Sequence, residues 1–65
     1  MISFAEAQEN ARKHGHVDEN GNVWLDTDIF TEIDTRIAFE EAGETLAAFI
    51  AESERLANAR LEKAV

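Results

Sequence analysis

Residues 29–50 read IFTEIDTRIAFEEAGETLAAFI, and two apolar helix faces run through them in different directions. In the first half, large apolar side chains recur at helical spacing and form one stripe, which consists of Ile29, Phe30, Ile33 and Ile37. At about 100° of rotation per residue, Phe39 points nearly the opposite way from this stripe. A single straight helix over these residues would therefore carry large apolar side chains on opposite sides.

A second apolar face begins at Phe39 and continues towards the C-terminus. Positions 39, 42, 46, 49, 53 and 56 alternate in steps of three and four, which is the spacing of a heptad-like seam. Its large side chains define the apolar seam, namely Phe39, Leu46, Phe49, Ile50, Leu56 and Leu61. Such a seam is either part of the core or a helix face on which a partner docks, and we predict that it binds a partner.

Gly43 is the only interruption between these two faces, because the chain contains no Pro. The helix either breaks near Gly43, so that both faces close on one core, or it continues and turns the seam towards another chain. The first helix has too few large apolar residues to cover both faces. We therefore expect a break or bend at Gly43, with part of the seam still exposed.

The N-terminal residues predict a short first helix over about 4–14. Ser3 and Glu6 have the spacing of a capping box, and Gly15 lies where a C-terminal cap belongs. The apolar stripe of this helix is thin, because it consists of Phe4 and two alanines. So short a helix needs to pack on the rest of the chain.

Residues 16–25 predict a β-hairpin. Asn20-Gly21 is a strong turn signal because both residues tolerate positive φ, and arms of about three residues flank it. Trp24 is the largest side chain of the hairpin, and we expect it to fill the small core.

Two helices follow, over about 28–42 and 44–63. Thr27 is the expected N-cap of the first of them, and carboxylates nearby favour the positive end of its dipole. The predicted fold class is therefore mainly α: helix, short β-hairpin, then two helices or one long bent helix. A chain of 65 residues forms one small domain.

The formal net charge of −8 comes entirely from the middle of the chain. Nine acids between residues 18 and 44 face only Arg36, whereas acids and bases balance on either side. Direct nucleic-acid binding and binding to an anionic membrane both need a cationic patch that this chain lacks. The predicted acidic face, which would select basic partners, consists of Asp26, Asp28, Glu32, Asp34, Glu40, Glu41 and Glu44.

No residue pattern predicts catalysis, a metal site or a cofactor. The chain has no Cys, its serines are a predicted cap and a seam residue, and His14 and His16 lack further convergent ligands. We therefore predict that the protein is not an enzyme. The chain has neither a signal peptide pattern nor an apolar run long enough to span a bilayer, so a cytoplasmic location is expected.

Two functions remain as hypotheses. The first is a small acidic protein–protein interaction module that regulates or inhibits a partner protein, or pairs with itself as a homodimer, through the apolar seam and the acidic face. The second is an acidic mimic of nucleic acid that blocks a nucleic-acid-binding protein, as phage and mobile-element inhibitors do.

Overall fold

The computed structural model describes residues 1–63, and of residues 62 and 63 only the backbone. The described chain forms three helices and one antiparallel hairpin, in the order α1 (Phe4–His14), β1 (Gly15–Val17), β2 (Val23–Leu25), α2 (Ile29–Glu41) and α3 (Leu46–Lys63). The predicted class, a mainly α single small domain with a short hairpin, is confirmed.

Gly43 ends α2 and separates it from α3. Its φ of 72° lies in the left-handed region that side chains disfavour. The Gly43 N–H donates to the Glu40 carbonyl oxygen at 3.0 Å, and the Glu44 N–H donates to the Phe39 carbonyl oxygen at 3.0 Å. This pair of bonds is a Schellman motif, which satisfies the last carbonyls of the helix. Of the two predicted arrangements, the chain therefore has separate helices.

The core is built around Phe39, which is 2% exposed. Its ring lies 5.0 Å from the ring of Phe4 on α1 and 5.4 Å from the ring of Phe49 on α3. The other buried apolar side chains are small or aliphatic: Ala7, Ala11, Leu25, Ala38, Leu46 and Ile50. One aromatic residue thus connects the three helices.

Small residues on α1 and β1 let neighbouring elements approach closely. Ala7 and Ala11 are fully buried, and a Cβ on Gly15 would lie 2.6 Å from the Ala11 carbonyl oxygen and 2.7 Å from Cδ1 of Ile50. Thr35, the one buried polar side chain among the described residues, donates its hydroxyl hydrogen to the Thr31 carbonyl oxygen at 2.7 Å. The interior is therefore closely packed, although it is small.

Ser3 and Asp28 are the N-caps of α1 and α2. The Ser3 hydroxyl accepts the Glu6 N–H at 3.1 Å, as predicted. The prediction of Thr27 as the second cap is wrong. Asp28 caps α2 because one carboxylate oxygen accepts the Thr31 N–H at 2.9 Å while the other accepts the Thr31 hydroxyl at 2.7 Å. Its charge also lies at the positive end of the helix dipole.

Asp18 organises the hairpin loop. One of its carboxylate oxygens accepts the N–H groups of Asn20 and Asn22, both at 2.9 Å, and the other accepts the indole N–H of Trp24 at 2.8 Å. In this loop Gly21 alone has a positive φ, so the turn is longer than the two-residue Asn-Gly turn that the sequence predicts.

Trp24 lies on the outside of the hairpin and is 55% exposed, so its predicted place in the core is wrong. It pairs with His16 across the two strands. Successive residues of a strand point to opposite faces, and the neighbouring Leu25 is the one that is buried. Trp24 is therefore left on the outer face, where its indole N–H binds Asp18.

The molecule is elongated because α3 extends beyond the rest of the fold. Its overall dimensions are 41 × 25 × 21 Å, and its radius of gyration is 12.3 Å, against about 11 Å for a compact chain of this length. No α3 residue described after Ile50 is buried. None of the helices described in residues 1–63 combines the length and apolar character needed to span a membrane.

The left-handed backbone at Gly43 predicts a stability cost for side chains there. We expect Gly43→Ala to lower the free energy of unfolding by about 1–2 kcal/mol, because a Cβ disfavours this conformation. Urea denaturation followed by circular dichroism measures the change. Gly43→Asn is the matched control and should cost less, since Asn tolerates positive φ. Equal losses for the two variants would contradict this explanation.

The cap of α2 predicts a pH-dependent stability. Two hydrogen bonds from Thr31, the stronger from its backbone N–H, hold the pKa of Asp28 below its ordinary value. A lowered folded-state pKa contributes stability above the ordinary range of an aspartate, and this contribution disappears as the pH falls through the folded-state value. In urea titrations, Asp28→Asn should therefore be less stable than the original chain at pH 7 and equally stable at strongly acidic pH. A gap that does not change with pH would contradict the prediction.

Candidate protein-binding surfaces

One side of α2 carries large apolar side chains that face solvent. These residues, which we name the α2 outer face, are Ile29, Phe30, Ile33 and Ile37, with exposed fractions of 58%, 77%, 46% and 39%. The sequence analysis expected the helix to break so that both apolar faces closed on the core, with only part of the apolar seam exposed. That expectation is corrected here, because this stripe is the one that remains outside.

The reason is that α2 is apolar on two opposite sides and the fold covers only one of them. Thr35, Ala38 and Phe39 point into the core, and they are rotated by roughly 180° from the centre of the α2 outer face. The α1 helix packs against the Phe39 side. A helix that is apolar all round is ordinarily buried all round, and α2 departs from this rule in the isolated chain.

The α2 outer face is large for so small a protein. With about 200 Å² for a whole Ile or Phe residue, its exposed fractions leave on the order of 400 Å² of surface, within a total of 4805 Å². A contiguous patch of this size is comparable to the largest apolar patch of an ordinary monomer, and such patches are often binding sites.

The apolar seam is divided by the fold. Phe39, Leu46 and Ile50 are buried in the core, and Phe49 is partly buried against it. The last two members of the seam are accessible, since Leu56 is 46% and Leu61 is 67% exposed. Any contact with a partner through this seam therefore falls on the second half of α3.

A surface groove lies between the end of α1 and the second half of α3. We name it the α1–α3 groove; it has a volume of about 480 Å³ and is lined by Arg12, Phe49, Glu52, Leu56, Ala57 and Arg60. The Arg12 guanidinium lies 5.9 Å from the centre of the Phe49 ring, a cation–π contact. The groove thus combines apolar side chains with two arginines and one glutamate.

Four of the predicted acidic residues have partners within the fold or are partly covered. Asp28 caps α2, Glu32 pairs with Arg36 at 3.2 Å, and Asp26 lies 3.5 Å from Nδ1 of His16. Arg36 also donates to the Val23 carbonyl oxygen at 3.0 Å, so its pair with Glu32 connects α2 to the hairpin. Asp34 is partly buried. These carboxylates contribute to local structure.

Glu40, Glu41 and Glu44 are exposed and form no ion pair with any side chain of the described residues. They lie at the C-terminal end of α2, where the helix dipole is negative and no basic residue occupies the last turn. This placement is unfavourable for the isolated fold. The free part of the acidic face is therefore concentrated at one end of α2.

The remaining perturbed groups belong to local pairs. The Trp24 indole N–H and the backbone of the loop lower the pKa of Asp18, and the hydrogen bond from Arg55 lowers the pKa of Glu52. Within the described part of the chain, no three His, Asp or Glu side chains lie close enough together to hold a metal ion.

Comparisons of this chain with protein-family models, with curated proteins and with solved structures find no match. Its function is therefore inferred from the surfaces described above.

The sequence analysis missed the α2 outer face, although a signal for it was present. It recognised that two apolar faces compete for one thin first helix. It then placed the isoleucine stripe inside, because a regular stripe of large side chains is usually core. The opposite side of α2, with Ala38 beside Phe39, fits closely against the alanines of α1 and is the side that the fold buries.

Substitutions on the two sides of α2 should differ in their effect on stability. We expect Phe30→Ser to change the free energy of unfolding by no more than about 0.5 kcal/mol, since the side chain is already in solvent. Phe39→Ala should cost about 3–5 kcal/mol, because it leaves a cavity between the three helices. Urea denaturation at the lowest concentration that Trp24 fluorescence permits measures both. A larger loss for Phe30→Ser than for Phe39→Ala would reverse the assignment of the two faces.

Proposed function

We propose that this protein is a small acidic protein–protein interaction module that regulates or inhibits a partner protein, and that it is not an enzyme. The α2 outer face is its main binding surface. The observation that supports this proposal best is that α2 is apolar on two opposite sides while its own chain covers only one. A cytoplasmic setting is part of the proposal, since a chain without Cys suits a reducing compartment.

The chemistry of the surface indicates what kind of protein it binds. Phe30 and its isoleucine neighbours supply apolar area that is desolvated on binding, with an aromatic anchor of the type common at binding hot spots. Glu40, Glu41 and Glu44 border one end of this surface. Carboxylates at the rim of an apolar contact select basic partners and speed their association more than they add to affinity. The partner is therefore expected to present apolar side chains with Lys or Arg beside them.

The acidic mimic of nucleic acid remains the second candidate. The three unpaired carboxylates at the end of α2 are the observation that favours it. A mimic depends on charge, so its complex should weaken steeply as salt screens the carboxylates. A complex formed through the α2 outer face should respond only weakly to salt.

Site-specific photo-crosslinking tests the proposed surface. A benzoylphenylalanine replaces Phe30 in the cells that encode the protein, and a second strain carries it at Ala51, an exposed position on α3. We expect position 30 to give a discrete adduct with one other protein, identified by mass spectrometry, and position 51 to give none. With the purified partner, Phe30→Ser should then raise the dissociation constant at least tenfold.

Adducts with a second copy of the chain do not count in this experiment. The same foreign adduct from both positions, or none from position 30, would contradict the proposal. Repeating the binding measurement between 0.1 and 0.5 M salt separates the two candidates. A loss of affinity of a hundredfold or more over this range would support the mimic, in line with the steep salt dependence of charge-driven binding.

A further inference from the structure

The α2 outer face and the α1–α3 groove are two apolar surfaces of opposite electrostatic character on one chain. The face ends in a segment, residues 40–44, with three glutamates and no base. The groove is lined by Arg12 and Arg60, and residues 55–61 beside it carry two arginines and no acid. Each surface presents the chemistry that the other lacks.

We propose that a second copy of this chain covers the α2 outer face, seating the face in its α1–α3 groove. This inference rests on the proposed role of the α2 outer face as a protein-binding surface, and it names the occupant of that face in the free protein. The arrangement is reciprocal, because each copy has one face and one groove. Two such contacts related by a two-fold axis form a closed dimer.

The two surfaces cannot meet within one chain. The α2 outer face points away from the core, whereas the groove lies on the helices that pack on the other side of α2 and beyond it. The second half of α3 likewise has no covering element in its own chain, since no described α3 residue after Ile50 is buried. A helical segment of this length has little stability of its own in water. A second copy would cover both exposed regions at once.

The amount of surface favours the reciprocal arrangement over the pairing of two α2 outer faces. Two such faces packed on each other would bury on the order of 800 Å², which is the size of a crystal contact. Two face-to-groove contacts bury four surfaces of about 400 Å², on the order of 1,600 Å² in total, which is the size of a standard stable interface. Pairing the faces with each other would also bring the unpaired glutamates of both copies together.

The charges within the groove are compatible with this contact. Glu52, the acidic residue of its lining, is bound by Arg55 at 3.1 Å, and Arg12 is partly neutralised by Glu9 at 2.9 Å. Arg60 has no ion pair with the side chains described and is accessible to a carboxylate of another copy. The groove volume of about 480 Å³ lies within the range of pockets that accept a ligand group. Phe30, the most exposed member of the face, is the side chain that we place there.

Light scattering on a sizing column, with the full chain at micromolar to millimolar concentration and 0.15 M salt, tests the proposal. The expected result is a concentration-dependent dimer. Phe30→Asp removes the face and Leu56→Asp removes the groove, and each should raise the dimer dissociation constant at least tenfold. Asn58→Asp is the matched control, because this exposed α3 residue does not line the groove, and it should leave the dimer unchanged. Circular dichroism verifies that every variant is folded.

Mixing the two variants gives the decisive result. Phe30→Asp retains an intact groove and Leu56→Asp retains an intact face, so a mixture should form a heterodimer through one contact although each alone is monomeric. A monomer at every concentration would overturn the proposal. So would a dimer that Phe30→Asp abolishes and Leu56→Asp leaves intact, which indicates that two α2 outer faces pair. Either of these results leaves the photo-crosslink to another protein, and hence the proposed function, to stand or fall separately.

Discussion

The packing of Phe39 between Phe4 and Phe49 is the interaction on which the rest of this structure depends. It is the only place in the described chain where large side chains of all three helices meet, with ring centres 5.0 and 5.4 Å apart. The same residue takes part in the end of α2, because its carbonyl oxygen accepts the N–H of Glu44. Core and chain reversal are thus coupled, since the Schellman motif at Gly43 directs α3 back onto the ring that α2 contributes.

The small size of this core determines which surfaces remain open. A chain of 65 residues buries a lower fraction of its surface than a larger domain, and α1 offers alanines rather than large side chains to its neighbours. Ala7 and Ala11 allow α2 and α3 to approach closely, but they cover only the side of α2 that carries Phe39. The α2 outer face and the second half of α3 are left without cover for the same reason. Association with another chain is a common way for so small a fold to gain stability.

The acidic middle of the chain has two roles in the structure. Asp18 and Asp28 bind backbone N–H groups and define the hairpin loop and the start of α2, and Glu32 holds Arg36. Glu40 and its two neighbours at the end of α2 make no such contacts in the described residues and lie where the helix dipole opposes their charge. Carboxylates in this position add nothing to the stability of the fold, which is why we connect them with recognition.

The sequence by itself determined the class of the fold, the presence of helices and a hairpin, the cap at Ser3 and the end of a helix at Gly43. These features depend on local chemistry, such as hydrogen bonds to nearby N–H groups and the conformational freedom of one glycine. Only the tertiary structure decided which of the two apolar stripes is buried, and that Trp24 is outside. Periodicity gives the direction of a stripe around its own helix, but burial depends on which neighbouring surface fits against it, and here the alanines of α1 fit the Phe39 side.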